Sequence, residues 1–412
     1  MASTTRILHV IASFNPVIGG PAEVIRNIIL AHKKLDIEGE VVCLDNPDAP
    51  FLHNEPFPFT VQALGHMDSY WFFCPKLIIW LKENLNRFNV VIMHGLWLYP
   101  SYAVHNAMQD LNKGLSEGVS PVAGAPLVLI FPHGMLDPYF QQTIRRRFKA
   151  IRNWVYWQLI ERRVVKDADA LLFTCETELL LARRTFSSYQ PKQEVNVGNG
   201  IVAPPPFSVA MTDAFLEKCP QVAGRPYLLF LSRIHYKKGV DLLVSAYAAI
   251  VEAQLDIKDQ LPFLVIAGPG LDTPYGESIS QLVQKYPQLE DMVYFPGMLV
   301  DNAKWGAIYS CEAFSLPSHQ ENFGIVVAEA LACSKPVLIS NQVNIWREII
   351  QGGSGMVGDD TPEGTRHAIE QWLSMPESDQ HRMARNARKT FEDYFQMEQV
   401  IHRLNNVIET LS

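Results

Sequence analysis

Cysteine is scarce in this 412-residue sequence, and the six cysteines present are scattered along it. No two of them are spaced as a CxxC pair, and they form no dense set. Structural zinc sites and disulfide scaffolds both need closely spaced cysteines, so we expect neither. Scattered cysteines fit a reducing compartment, and we expect the protein in the cytoplasm, either free or at the inner face of the membrane.

Long apolar runs are also missing from the sequence. The N-terminal segment MASTTRILHVIASF lacks the apolar core of a secretory signal and leads directly into a predicted strand. Nowhere does the sequence reach the roughly 18 uncharged apolar residues that a transmembrane helix needs. We therefore expect a soluble or membrane-peripheral protein.

Positive charge is not in excess either. Lys and Arg together number 35 against 43 Asp and Glu, which gives a formal net charge of −8. Proteins that bind nucleic acid generally carry a basic surface, so we expect no nucleic acid partner.

The sequence offers few candidates for a metal or cofactor site. His94 and His133 each follow an apolar segment, but neither has carboxylates at ligand spacing, and strand-end histidines commonly bind substrate or backbone. Asp167-Ala168-Asp169 has the DxD pattern of some metal sites, yet it runs straight into an apolar segment, as a helix-to-strand connection does. Gly268-Pro269-Gly270 lacks the GxGxxG spacing of a dinucleotide site. We expect no metal and no cofactor.

The first half of the chain alternates short apolar segments with longer amphipathic ones. Continuously apolar strands indicate burial on both faces, which is typical of a parallel sheet covered by helices. This pattern predicts an α/β doubly wound domain. The predicted strands are Arg6–Ala12, Glu40–Leu44, Val90–Met93, Leu127–Phe131 and Ala170–Thr174.

The pattern stops at the prolines of residues 199–206 and then starts again, as two domains joined by a linker would require. The length also favours two hydrophobic cores. We predict an N-terminal domain over 1–202, a C-terminal domain over 203–390 and a last helix over 391–412. Ligands are expected in a cleft between the two sheets. The further strands predicted are Tyr227–Leu231, Phe263–Ala267, Met292–Phe295, Ala313–Leu316 and Pro336–Ile339.

Two basic residues follow the first strand of the second half. Arg233 and Lys238 lie in LSRIHYKKGV, just before a helix that we predict from Gly239. Two cations beside the amide groups of a helix N-terminus would form a site for a diphosphate. Basic residues of a solvated loop would give the same pattern, and taken alone the pattern slightly favours that alternative.

Two carboxylates interrupt an otherwise apolar stretch, SLPSHQENFGIVVAEALACSKPVLIS. A carboxylate that faces an apolar core is costly unless a polar group satisfies it. If a helix begins near Asn322, Glu321 lies at its start, and Glu329 lies about 12 Å further along the axis at 1.5 Å per residue. This separation suits two ends of one nucleotide sugar, with Glu321 at the sugar and Glu329 at the ribose.

Taken together, these motifs resemble the retaining GT-B glycosyltransferases of family 4, the group 1 glycosyltransferases. The resemblance rests on Arg233 and Lys238, and on the Gly19-Gly20 loop after the first strand. It also rests on the segment LPSHQENFG, which contains Glu321, and on Glu329, which is separated from Glu321 by seven residues. VGNGI before the linker and the PGMLVDNAKWGAIYS run follow in the same order. The family fold implied is two Rossmann-like doubly wound α/β domains that face each other across a cleft, with a C-terminal helix that returns to the first domain. The resemblance also implies that the first domain binds the acceptor and the second binds the nucleotide-sugar donor.

The resemblance implies roles for single residues. Arg233 and Lys238 would bind the donor diphosphate and support the leaving group, Glu321 would contact the donor sugar, and Glu329 would hold the ribose. Other implied donor-binding residues are Gly20, Leu299, Asn322, Phe323 and Gly324. His133, in FPHGMLD, resembles the histidine of the family near the donor sugar. The catalytic set implied is thus His133, Arg233, Lys238 and Glu321.

The segment 144–166 is basic and rich in aromatics, with apolar residues at helical spacing at 144, 148, 151, 155 and 159. Basic side chains with tryptophans suit the surface of an anionic membrane. A helix that packs its apolar face inside the first domain gives the same pattern. We keep peripheral membrane contact as a candidate and favour packing.

The function implied is transfer of a sugar from a nucleotide diphosphate sugar to a carbohydrate or glycolipid hydroxyl, with retention and without a metal. Synthesis of a surface polysaccharide or glycolipid is the expected setting. Two alternatives stay open: a non-hydrolysing nucleotide-sugar epimerase, and a silent protein that only binds nucleotide sugars. An epimerase would consume the donor without an acceptor.

Overall fold

The computed structural model describes residues 5–16, 20–54, 56–65, 71–117, 124–139 and 147–412. The chain divides into two compact units. The first comprises Met1–Gly200 and Met397–Ser412, and the second comprises Ile201–Gln396. Each unit is built on its own parallel sheet.

The first unit has seven parallel strands in the order β3-β2-β1-β4-β5-β6-β7. All five strands predicted for this half of the chain are present, and the sheet has two further strands that were not predicted. Thr60–Ala63 and Glu194–Asn196 are short strands at the two edges of the sheet, and their residues are half-buried or exposed, so they lack a continuous apolar run. The strands are β1 (Arg6–Ile11), β2 (Glu38–Cys43), β3 (Thr60–Ala63), β4 (Val90–His94), β5 (Leu127–Phe131), β6 (Ala170–Phe173) and β7 (Glu194–Asn196).

Helices connect most of these strands, as is usual in a parallel sheet, whereas the described residues of the connection from β2 to β3 contain only the short 3₁₀ turn Pro50–Leu52. The helices are Gly20–Lys33, Pro75–Asn84, Tyr99–Ser116, Arg147–Tyr156, Arg162–Asp167 and Glu176–Thr185, and a π-helical turn, Trp157–Glu161, joins the fourth to the fifth.

The last helix, Met397–Leu411, belongs to the first unit although it follows the second in sequence. Its residues Ile401 and Leu404 are buried in one cluster with Ile7 of β1 and Ile28 of helix Gly20–Lys33. The preceding residues, Phe391–Phe395, form a π-helical turn of the second unit.

The second unit has six parallel strands in the order β10-β9-β8-β11-β12-β13. All five predicted strands are present, and Gly355–Gly358 was missed because its two glycines and half-buried residues give no apolar run. The strands are β8 (Tyr227–Leu231), β9 (Phe263–Ala267), β10 (Val293–Gly297), β11 (Ala313–Leu316), β12 (Val337–Ser340) and β13 (Gly355–Gly358). The helices are Val209–Lys218, Val240–Ala253, Pro274–Lys285, Asp301–Ser310, Ile325–Ala332, Trp346–Gly352, Pro362–Leu373 and Glu377–Thr390.

The predicted helix start at Asn322 is wrong by three residues. Helix Ile325–Ala332 begins after Gly324, whose φ of +79° is left-handed and breaks the helical path. The distance of about 12 Å between the two carboxylates assumed a helix from Glu321 onward, so that argument does not hold.

All six cysteines are unpaired and buried. Within the ranges that the structure covers, no helix has the length and apolar character needed to cross a bilayer.

Candidate functional site

The carboxyl edge of the sheet in the second unit brings several loops into close contact. The loop after β8 packs against the loop after β9, where the Ile234 amide donates to the Pro269 carbonyl at 2.8 Å. A Cβ on Gly268 would lie 1.9 Å from the Ser232 carbonyl oxygen, and one on Gly270 would lie 2.7 Å from that of Ile234. Glycine is therefore needed at both positions, because any side chain there would collide with the backbone of the loop after β8.

The loop after β8 also packs against the loop after β11. The His319 amide donates to the Lys237 carbonyl at 2.9 Å, and the His319 ring stacks on Tyr236 at 4.8 Å between centroids. Gly239 has a φ of +66°, and a Cβ on it would lie 2.0 Å from the Pro317 carbonyl oxygen. This contact fixes the point at which helix Val240–Ala253 begins.

The two loops carry the predicted ion-binding residues to one place. Lys238 Nζ forms an ion pair with Glu321 Oε2, and both side chains are largely buried. The Glu321 backbone is held on both sides, since its amide donates to Gln342 and its carbonyl accepts from Asn344, both at 3.0 Å. The carboxylate thus has a fixed position beside the ammonium group.

The loop after β8 is strongly positive. Arg233 is exposed on it, five residues before Lys238. Burial, and then the charges of Arg233, Lys237 and Lys238, lower the pKa of His235 below its usual value. Three cations therefore act on one imidazole, and a protonated His235 is disfavoured there.

Glu329 forms a second buried ion pair. Its Oε1 lies 2.7 Å from Nζ of Lys304, and the Glu329 side chain is 13% exposed. Sequence reasoning missed Lys304, although the PGMLVDNAKWGAIYS run that contains it was singled out. The pair meets the requirement that a carboxylate in an apolar stretch has a polar partner.

Other predicted donor-binding residues lie around these pairs. Leu299 is buried just before helix Asp301–Ser310, which carries Lys304. The Phe323 ring is buried and packs edge-on against Phe395 at 5.5 Å, so its side chain belongs to the core. Asn322 Oδ1 accepts from Asn344 at 3.4 Å.

Gly20 and His133 belong to the first unit. Gly20 is half-buried and opens helix Gly20–Lys33. His133 follows β5 with a φ of +51°. It lines a cavity of about 210 Å³ together with His94, Ser101 and mostly apolar neighbours such as Phe72 and Leu96.

Three histidines form a hydrogen-bonded row beside this cavity. His9 Nδ1 lies 3.0 Å from His94 Nε2, and His94 Nδ1 lies 3.0 Å from His133 Nε2. Burial lowers the pKa of His9 to about 3 and that of His133 to about 4, and it lowers the pKa of His94 well below the usual value. The row is therefore neutral at physiological pH. Sequence reasoning singled out His94 and His133 but not His9.

A buried carboxyl group, Glu161, lies behind the cavity wall. Its Oε1 accepts from the Trp97 amide and from the Ser101 hydroxyl, both at 2.6 Å. Burial raises the pKa of Glu161 to about 7. Sequence reasoning singled out the basic and aromatic segment that contains Glu161 but did not predict that this carboxyl group is buried.

Among the residues that the structure describes, no group of three or more His, Cys, Asp or Glu side chains is placed to hold a metal ion.

Gly239→Ala should destabilise the second unit far more than Gly224→Ala does. Both glycines are left-handed, with φ of +66° and +70°, but a Cβ on Gly224 meets no atom within 4 Å. Gly224→Ala should cost only the left-handed strain, about 1–2 kcal/mol. The collision at Gly239 should add about 1–3 kcal/mol. Denaturant unfolding of both variants measures the difference, and equal losses would contradict the close packing at Pro317.

Glu161→Gln should remove a pH dependence of stability. The folded protein holds the Glu161 proton more tightly than the unfolded chain, because the pKa rises from 4.5 to about 7. This contribution is complete below pH 4.5 and is lost as the pH rises through 7. The variant should therefore gain stability relative to the native protein over this range, by about 1.4 kcal/mol per unit. A difference in unfolding free energy that stays constant with pH would contradict a neutral Glu161.

Two family descriptions match the chain in succession. "Glycosyl transferase 4-like domain" matches residues 19–200, and "Glycosyl transferases group 1" matches residues 212–390. Together they cover most of both units.

Curated relatives match over part of the chain. D-inositol 3-phosphate glycosyltransferase of Kineococcus radiotolerans is 29% identical over 56% of this chain and 54% of its own length. A GDP-mannose-dependent alpha-(1-6)-phosphatidylinositol dimannoside mannosyltransferase of Mycobacterium tuberculosis is 30% identical over 40% of each chain. The chain thus spans about half the length, or less, of these relatives.

Solved structures match over nearly the whole length. Anabaena HepE in complex with UDP and glucose has a TM-score of 0.71 at 14% identity, covering 98% of this chain and 100% of its own. Sucrose-phosphate synthase of Thermosynechococcus elongatus has a TM-score of 0.69 at 18% identity, covering 99% of each chain. The predicted fold class, two Rossmann-like α/β domains of the GT-B type, is confirmed. On the succession of the two family matches, the chain belongs to the group 1 glycosyltransferases.

Proposed function

We propose that this protein transfers a sugar from a nucleotide diphosphate sugar to an acceptor hydroxyl, with retention at the anomeric carbon. The observation that carries the proposal is the largely buried Lys238–Glu321 ion pair at one edge of the second sheet, with Arg233 exposed on the same loop as Lys238. The names of the matched proteins support such a donor, since one relative is described as GDP-mannose-dependent and one structure contains UDP and glucose.

The diphosphate is proposed to bind at the loop after β8. Lys238 has three N–H donors, so it can keep Glu321 and still donate to a phosphate oxygen. Arg233 offers a planar pair of donors that suits phosphate. The start of helix Val240–Ala253, directly after Gly239, adds a favourable dipole for an anion.

The two carboxylates are proposed to bind the two sugars of the donor. Glu321 would accept from hydroxyl groups of the transferred sugar, and Glu329 from those of the ribose. Each carboxylate has a lysine partner in a largely buried place, and a carboxylate oxygen is a strong acceptor for hydroxyl groups. The Leu299 backbone would meet the base, and the backbone of Asn322–Gly324 would lie along the diphosphate. Gly20 would approach the donor phosphates through its backbone.

Stabilisation of the departing diphosphate is proposed as the main catalytic effect. As the bond between the anomeric carbon and the phosphate oxygen breaks, negative charge grows on that oxygen, where Arg233 and Lys238 can meet it. In the retaining route implied by the family, the acceptor attacks from the face that the phosphate leaves, and the phosphate oxygen takes the acceptor proton. This route needs no nucleophile from the protein, and the cations of the chain perform the role that a metal would otherwise have.

The acceptor is proposed to be a carbohydrate or glycolipid that binds the first unit, in the synthesis of a surface polysaccharide. The cavity beside His133 has the character of a small-molecule site, because apolar walls surround a few polar groups, including Ser101.

Loss of the cations should weaken donor binding. Removing one charge-assisted contact should cost about 1.5–3 kcal/mol, so Lys238→Ala should weaken binding of nucleoside diphosphates by about 10- to 150-fold. Arg233→Ala/Lys238→Ala should weaken it further, whereas Lys285→Ala, at an exposed lysine of the second unit, should leave it unchanged.

Glu321→Gln should still bind nucleoside diphosphate but lose turnover. Calorimetry with UDP-, GDP- and ADP-sugars measures each effect.

The same preparation tests the reaction class. Transfer should require an acceptor, persist in chelator, and give a product whose anomeric configuration, read by NMR, equals that of the donor. Donor consumption without an acceptor would indicate an epimerase, and binding without turnover would indicate a silent protein. Loss of activity in chelator that metal restores would overturn the metal-independent route.

The segment 144–166 has its apolar stripe on the outside. Residues 144 and 148 lie outside the described side chains, but Ile151, Val155 and Leu159 are exposed, as is Trp154. The buried face contains Trp157 and Glu161 instead. The expectation that the stripe packs inside the domain is therefore wrong for its described residues, since Ile151 and Val155 are exposed within helix Arg147–Tyr156 and Leu159 is exposed in the π-helical turn that follows.

We propose that this surface contacts an anionic membrane. Arg152, Arg162, Arg163 and Lys166 are exposed beside the apolar residues, and this combination suits acidic lipid headgroups.

Trp154→Ser/Leu159→Ser should reduce binding to vesicles that contain phosphatidylglycerol, measured by co-sedimentation. The matched control is Leu35→Ser, since Leu35 is equally exposed on the first unit. Binding of the native protein should fall with salt and be weak on neutral phosphatidylcholine. No preference for acidic vesicles, or equal binding by both variants, would refute this surface.

A further inference from the structure

The histidine row of the first unit is built into neighbouring strands of the sheet. His9 lies on β1, His94 ends β4, and His133 follows β5 by two residues, and these strands are adjacent in the order β1-β4-β5. The His9 and His94 rings stack at 5.3 Å between centroids, and the His94 and His133 rings stack at 5.2 Å. Phe131 stacks on both His94 and His133. The rings are therefore held in place by packing as well as by hydrogen bonds.

Each neutral imidazole has one N–H and one bare nitrogen, so the protons in the row must all point the same way. In one arrangement His133 donates to His94 and His94 donates to His9, which puts the last proton on His9 Nε2. In the other arrangement His9 donates to His94 and His94 donates to His133. The last proton then lies on His133 Nδ1.

The buried end of the row distinguishes the two arrangements. His9 is fully buried, and its Nε2 has no hydrogen-bond partner among the described residues. A buried N–H without an acceptor is rarely tolerated in proteins, whereas an acceptor without a donor is somewhat less rare. The second arrangement leaves only a bare nitrogen at this buried end.

We propose that His9 and His94 are positioning residues that hold His133 with its proton on Nδ1. This inference rests on the proposed function, in which His133 acts beside a sugar. His133 lines the cavity, and Nδ1 is its ring nitrogen outside the row. In this form His133 is an N–H donor, so the ligand group that it would recognise is an oxygen that accepts, such as a sugar hydroxyl. The buried histidines of the row thereby determine that His133 provides an N–H donor and not an acceptor.

The first measurement is the ¹⁵N spectrum of the ring nitrogens of His133 in the native protein at neutral pH. We expect a protonated Nδ1 and a bare Nε2. A protonated Nε2 would overturn the proposal outright. This readout needs no substrate, so it remains valid even if no sugar transfer is found.

The second measurement uses His9→Leu, which removes the buried donor at a position outside the cavity lining. His94 then loses the partner that sets its orientation, and His133 should populate both tautomers. Val10→Ala is the matched control, because Val10 is the buried neighbour on the same strand and leaves the row intact. An unchanged His133 spectrum in a folded His9→Leu variant would overturn the proposal.

The kinetic consequence separates positioning from general damage. His9→Leu should lower kcat several-fold while the binding constant for nucleoside diphosphate stays unchanged, since His9 is not among the residues assigned to that ligand. Val10→Ala should leave kcat close to the native value at a comparable loss of stability. Equal losses of kcat in the two variants would show a structural effect only and refute the positioning role.

Discussion

The ion pair between Lys238 and Glu321 is the interaction on which the second unit's candidate site depends. It joins the loop after β8 to the segment after β11, and the Gly239–Pro317 contact holds those two segments at backbone distance. A long flexible lysine gains little from an exposed carboxylate. Here both partners are largely buried, and the Glu321 backbone is bonded on both sides, so the charge pair is fixed before any ligand arrives. A preformed cation beside a preformed acceptor is what recognition of a phosphorylated sugar requires.

The two candidate sites contain different kinds of buried polar group. In the second unit, two largely buried carboxylates have lysine partners, namely Glu321 with Lys238 and Glu329 with Lys304. In the first, the histidine row is neutral because burial disfavours imidazolium, and burial raises the pKa of Glu161 to about 7. The charged edge suits an anionic diphosphate. The neutral cavity suits uncharged hydroxyl groups, which gain from precise donors and acceptors more than from charge.

Much of the fold could be predicted from the sequence, because strands buried on both faces read as continuous apolar runs. Every strand predicted in this way exists. The edge strands Thr60–Ala63 and Glu194–Asn196 were missed, since only part of an edge strand is covered. The start of helix Ile325–Ala332 was misplaced because the left-handed Gly324 stops the helix, and one sequence does not show which glycines are left-handed. The pairing of Lys304 with Glu329 and that of His9 with His94 join residues that are far apart in the sequence. Spacing along the chain therefore could not predict these contacts.

The central claim is that the diphosphate of a nucleotide binds at the loop after β8 in the second unit. A crystal structure with a bound nucleoside diphosphate tests it most directly. The account predicts phosphate oxygens within hydrogen-bond distance of Lys238 Nζ and the Arg233 guanidinium, with the ribose hydroxyls at Glu329. A diphosphate bound elsewhere, with Lys238 still paired to Glu321 alone, would contradict the assignment of this edge as the donor site.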